Sequence, residues 1–236
     1  LAMSTRTNTA LLSARHRRAI IISIMAAAAL YLAAVIASGY EQAWQAFTRL
    51  GWHGWSLVLA CSFTSYLVRY VRWQYYLRRA GWILPHRLHF LYYLAGFALT
   101  TTPGKAGETI RSVLLRPHGV PYHTSLASFF CERLLDVIVI AMLAGLLLTV
   151  FAEHALFVIL AGLLLLGVLP VLHSPYPART ITWLQSRLHS RRIRRGLQHL
   201  LHLLGDARAF LALRPLYIGF ALGSLAWTIQ LSLIHI

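Results

Sequence analysis

Acidic side chains are nearly missing from this chain: six Asp and Glu stand against 22 Lys and Arg, and charged residues make up only 12% of its 236 residues. That is about half the charged share of an ordinary soluble domain, which excludes a soluble globular protein. Cysteine is scarce as well. Cys61 and Cys131 both lie in apolar runs without further ligands at zinc spacing, so neither a disulfide framework nor a zinc cluster is implied. The HxxH-like pairs His86/His89 and His199/His202 lack additional ligands, and no metal is assigned. Gly104-Lys105 lacks the glycine-rich approach and the following Ser or Thr of a phosphate loop, so no nucleotide and no other cofactor is expected.

Apolar residues are abundant, at 58%, and the mean hydropathy is +0.62. A net charge of +16 and a pI near 11.0 would suggest nucleic acid in a soluble chain. In a chain this apolar they point to a membrane protein whose basic segments face anionic headgroups, with membrane lipids and not nucleic acid as partners. The expected fold is all-α, a polytopic transmembrane bundle.

Apolar runs long enough for a hydrocarbon core of ~30 Å occupy residues 19–38, 54–77, 134–152 and 155–172, and a last one starts at 216. Arginines cluster before the first run, after the second, and between Arg179 and Arg214. Placed on the cytoplasmic side by the positive-inside rule, these clusters require an even number of crossings between Arg79 and Arg133. Residues 88–102 and 122–130 are apolar but short, and Pro103-Gly104 interrupts the chain between them. A re-entrant hairpin around Pro103-Gly104 meets the parity count; a kinked helix is the plainer alternative. Within residues 181–210, Ile181, Leu184, Leu188, Leu197, Leu200, Leu201 and Leu204 stand against Arg187, Arg191, Arg192, Arg194 and Arg195, as in a cytoplasmic helix lying on the membrane or in a solvated basic loop.

Three of the six acids, Glu108, Glu132 and Asp136, fall in the most membrane-embedded part, with Lys105, Arg111 and Arg133 beside them. An ionised group near the bilayer centre costs at least ~2.5 to 3.5 kcal/mol, so such groups are paired, hydrated or functional. Helical spacing gathers them into stripes: Ser65, Arg69, Arg72 and Tyr76; Lys105, Glu108, Arg111 and Ser112; Ser128, Glu132 and Asp136. Facing inward, the three stripes would enclose a polar cavity, with Arg69, Arg72 and Arg111 for a phosphate and the three acids balancing them. The bland readings are that Arg69 and Arg72 snorkel to headgroups, that Glu132, Arg133 and Asp136 form a packing salt bridge, and that Gly107 is a helix contact. Tyr92, Tyr93, Trp52, Trp55 and Trp82 are expected in the interfacial aromatic belt.

Arg69-x-x-Arg72-Trp73, Pro103-Gly104-x-x-Gly107-Glu108-x-x-Arg111 and Glu132-Arg133-x-x-Asp136, in this order, resemble the lysylphosphatidylglycerol synthase transmembrane family, a flippase-like membrane domain. The resemblance covers residues 40–172 best. It implies a multi-pass protein of the bacterial plasma membrane, N-terminus cytoplasmic, that translocates or helps translocate a polar-headed lipid. The cargo class would be a phospholipid, aminoacyl-phosphatidylglycerol, a hopanoid-related lipid or a polyprenyl-linked lipid. On the motif positions, Arg69, Arg72, Trp73, Arg111 and Arg133 would meet the headgroup, Glu108, Glu132 and Asp136 would line the polar cavity, and Pro103, Gly104 and Gly107 would form the re-entrant turn. No catalytic residue is assigned, because no soluble transferase domain accompanies these motifs and lysyl transfer is not expected. The rival readings are a membrane enzyme acting on a lipid-linked substrate and a scaffold that recruits a lipid-synthesis enzyme. Residues 1–18 form a basic cytoplasmic start and 19–230 the membrane domain. Residues 231–236 are expected to be read-through of a sequencing-library end, with the authentic chain continuing differently after Gln230.

Overall fold

In a computed structural model, the structure describes residues 25, 29, 33, 40–97, 107–146, 155–188 and 190–233. Residues 1–18, Pro103, Gly104, Lys105 and nearly all of the first apolar run lie outside the described residues, and so does the tip of the expected hairpin. Among the described residues the fold is all-helical. Helix α1 (Tyr40–Arg79) is broken at Gly51, whose φ of 61° is open to glycine at little cost. It stops in a Schellman arrangement: Gly81 N–H donates to the Arg78 carbonyl at 3.0 Å and Trp82 N–H to the Leu77 carbonyl at 2.9 Å, with Gly81 at φ 89°.

Helix α2 (His86–Phe97) follows, and α3 (Ile110–Leu115) packs back against it. Helix α4 (Tyr122–Leu146) is continuous through Glu132 and Asp136. The expected short run at 122–130 is therefore not a separate hairpin arm but the first third of a longer helix. Charged residues in the middle of α4 divide the hydropathy without breaking backbone hydrogen bonding. Helices α5 (Ala155–His173), α6 (Tyr176–Arg187), α7 (Arg191–Phe210) and α8 (Leu213–Ser232) follow.

The hub is α4, on which α1, α3, α5, α7 and α8 all pack, while α8 also lies along α1. One core cluster joins Tyr76, Cys131, Leu135, Ile138 and Phe210; a second joins Tyr70, Trp73, Leu77, Tyr93 and Leu115. Large apolar side chains also cover the outside, among them Leu57, Leu59 and Phe63 on α1 and Leu160, Leu163 and Leu164 on α5. So much exposed apolar surface is tolerable when the surrounding solvent is lipid.

No single described helix is long and apolar enough to cross a membrane by itself. Two bent pairs reach that length and composition together: Ile159–His173 with Tyr176–Arg187, bent by 60°, and Arg191–Phe210 with Leu213–Ser232, bent by 76°. The segment expected as one amphipathic element over 181–210 is divided, because Leu188 and Ser190 take extended backbone between α6 and α7. Nor does α7 rest wholly on a surface. Leu204, Ala207 and Phe210 are buried at its end, and Asp206 is held at 2.8 Å by the Thr124 hydroxyl and by His123 Nδ1 at the start of α4.

Candidate functional site

The stripe on α1 faces inward as a unit: Ser65, Arg69, Arg72 and Tyr76 are all buried, Arg72 completely. The stripes on the other two walls do the same, with Glu108, Arg111 and Ser112 at α3 and Ser128, Glu132 and Asp136 on α4. Arg69 thus does not snorkel; at 4% exposure it is committed to the interior. Amphipathic periodicity explains the burial, since residues at i, i+4 and i+7 share one helix face and that face meets the neighbouring helices.

Within the cluster Asp136 is shared by three arginines. Arg72 Nη2 donates to its Oδ1 at 2.8 Å, Arg69 Nη1 donates to its Oδ2 at 3.4 Å, and Arg133 Nη2 approaches Oδ2 at 3.1 Å. Glu132 stands between Arg72, whose Nε is 3.7 Å away, and Arg111, whose Nη2 is 3.4 Å away. Arg111 also donates from Nη2 to Glu108 Oε2 at 3.2 Å and from Nε to the Glu108 carbonyl at 3.1 Å. Arg133 Nη1 reaches Glu108 Oε1 at 3.8 Å, and with a side chain 19% exposed it is the one partly open member of this set. Among the described residues the three acids and four arginines form an alternating array of ion pairs with little exposed surface.

Rings hold the array in shape. The Arg111 guanidinium lies 4.2 Å from the centroid of Trp73 and 4.8 Å from that of Tyr93, two cation–π contacts from adjacent sides that desolvation strengthens. Trp73 in turn donates from Nε1 to His89 Nε2 at 2.8 Å. Gly96 passes directly beneath, where a Cβ would stand 2.7 Å from Arg111 Cγ. Tyr93 is therefore not an interfacial belt residue as its position near a segment end suggested: it is fully buried, because α2 turns it toward Arg111 and away from the lipid. Trp52, at 85% exposure, does stand outward.

Helix α8 supplies a wall that spacing did not reveal. Gln230 accepts from Arg69 Nη2 at 2.8 Å, Trp227 stacks 4.8 Å from the Arg69 guanidinium, and the Ala226 carbonyl accepts from Ser65 at 3.1 Å. Gly219 and Gly223 let α8 approach α1, since a Cβ on Gly223 would lie 2.6 Å from Arg72 Nη1 and one on Gly219 would collide with the Tyr76 hydroxyl. The small-x-x-x-small spacing of these glycines was the available signal.

Two features distinguish the cluster. Among the described residues it holds four cations against three acids. Arg72 Nη1 and Arg111 Nη1 are buried and make no hydrogen bond among the described residues. Unsatisfied buried donors are uncommon and call for an explanation. Glu108 and Gly107 take part in further interactions beyond those described above. Among the described residues, no group of three or more His, Cys, Asp or Glu is arranged to hold a metal ion.

No curated protein and no solved structure matches this chain. The family model described as the lysylphosphatidylglycerol synthase TM region does match, over residues 19–236, a stretch that contains every motif whose side chains meet in the cluster. The chain belongs to the lysylphosphatidylglycerol synthase transmembrane-region family and is a membrane domain.

Proposed function

We propose that this domain translocates, or helps translocate, a polar-headed lipid across the bacterial plasma membrane, without changing the lipid chemically. Its N-terminus and its basic clusters lie on the cytoplasmic side in this reading. The observation that carries it is the pair of buried guanidinium nitrogens, Arg72 Nη1 and Arg111 Nη1, that make no hydrogen bond among the described residues. A buried donor without a partner is costly, and a headgroup phosphate is an anion that a membrane offers to satisfy it. Guanidinium groups suit the task because their planar fork binds phosphate as it binds carboxylate. A phosphate entering beside Arg133, the partly exposed member, would displace carboxylates from Arg111 and Arg72 in turn, while the acyl chains stay in lipid. The cargo class is a phospholipid, aminoacyl-phosphatidylglycerol, a hopanoid-related lipid or a polyprenyl-linked lipid, and a lipid-synthesis enzyme is the partner that would supply it.

Reconstitution into liposomes with a headgroup-labelled anionic phospholipid, followed by quenching of the outer leaflet, tests this. Exchange above that of empty liposomes is expected for the unaltered chain and is lost in Arg69→Ala and Glu108→Gln. Absence of exchange by folded protein with several lipid classes overturns the reading. A change in lipid mass on incubation in detergent replaces it with an enzymatic one.

A further inference from the structure

On the side of α4 and α8 away from α1 lies an apolar groove of about 850 Å³, closed on its third side by α5. The volume falls in the range of small-ligand clefts, ~300 to 1,000 Å³. Ile138 and Met142 from α4, Leu166 and Leu169 from α5 and Phe220 from α8 supply walls without polar atoms. Leu135 separates this groove from the charged cluster: it lines the groove, and one of its methyl groups would stand 3.0 Å from a Cβ on Gly219. The neighbouring Asp136 points the other way, to the arginines.

The mouth of the groove carries Arg214 and Tyr217, the two lining residues with polar ends. Arg208, just upstream, is fully committed: it donates from Nε to the Leu172 carbonyl and from Nη2 to the Ser174 carbonyl, each at 2.6 Å, where α5 ends and a cation is favoured. Arg214 is the opposite case. It sits in the first turn of α8, where the helix dipole disfavours a cation, and among the described residues it makes no hydrogen bond or ion pair. An anion at this mouth would satisfy both the guanidinium and the helix start. Tyr217, 75% exposed and one turn further on, has the half-apolar ring that settles at headgroup level.

We infer that the groove holds one acyl chain of an anionic membrane phospholipid whose phosphate lies at Arg214, back to back with the charged cluster. The purpose of such a site rests on the lipid-translocating reading, whereas its occupancy does not. The test uses the reconstituted chain in phosphatidylcholine vesicles doped with either phosphatidylglycerol or phosphatidylcholine carrying a diazirine in one acyl chain, with adducts mapped by peptide mass spectrometry. Adducts are expected to concentrate on the α4, α5 and α8 residues of the groove, above the level on exposed α1 residues such as Leu57 and Leu59. Arg214→Gln should lower the phosphatidylglycerol adducts about fivefold, as expected from removing one arginine near a charged headgroup, and leave the phosphatidylcholine adducts unchanged. Met142→Trp, at an exposed position of the wall, should lower both. Equal labelling of groove and α1 overturns the inference, as does cross-linking of the groove to a second copy of the chain; the wild-type map alone decides this if a variant does not fold. Groove adducts without lipid exchange leave the groove standing and remove the translocation reading. Exchange without groove adducts does the reverse.

Discussion

Arg72 is fully buried and holds Asp136 at 2.8 Å, whereas Arg191, Arg192, Arg194 and Arg195 at the start of α7 are exposed and have no acid partner among the described residues. The side chain is the same and the consequence is opposite. In the inner cluster the buried arginines exchange their hydration for carboxylates, an amide and aromatic faces, and the geometry is set jointly by α1, α2, α3, α4 and α8. At the start of α7, four like charges crowd the helix end where the dipole already disfavours them. Water or an anionic membrane surface is what makes that arrangement tolerable. The difference teaches that charge in this chain has two uses: inside, it specifies how the helices meet, and outside, it specifies which side of the membrane a segment faces.

The sharpest way to break the comparison is Asp136→Ala. It removes the carboxylate shared by Arg69, Arg72 and Arg133 and leaves buried cations uncompensated, so a loss of about 3 to 5 kcal/mol is expected in unfolding of the purified protein. Unaltered unfolding would mean that the array does not hold the bundle together. Next in size is Gly223→Ala, because its Cβ would press on Arg72 Nη1 and push α8 from α1; the same assay should show about 1 to 3 kcal/mol. Trp73→Phe keeps a ring beside Arg111 but removes the donor to His89, for an expected loss of about 1 kcal/mol. The smallest effect on stability is expected when Arg191, Arg192, Arg194 and Arg195 are all changed to Gln, since none is paired. An environment-sensitive dye on Ser190→Cys should instead report the change: its blue shift in anionic vesicles disappears in the four-fold variant, and a shift that persists would show that α7 does not meet the membrane through these arginines.

Much of the inner cluster was legible because a helix repeats every ~3.6 residues. Ser65, Arg69, Arg72 and Tyr76 share a face whatever surrounds them, and so do Ser128, Glu132 and Asp136. Other parts were not. The continuity of α4 was hidden because Glu132, Arg133 and Asp136 interrupt its hydropathy, although a charge leaves the backbone ladder intact. Tyr93 read as an interfacial ring because a phenol near the end of an apolar run is common at headgroup depth; only the position of α2 against Arg111 takes it inside. Gln230 and Trp227 drew no attention in a long apolar run, and their role depends on α8 lying along α1.

By itself the sequence determined the membrane class, the family motifs and the three polar helix faces, because composition and periodicity act locally and do not depend on what packs nearby. Which acid meets which arginine, how deeply the described members of the cluster are buried, and that a groove opens behind it were decided by tertiary structure. The reason is that burial and pairing are properties of the space between helices, and here that space is set by the close approach of α8 at Gly219 and Gly223 and by the docking of α4 against five neighbours.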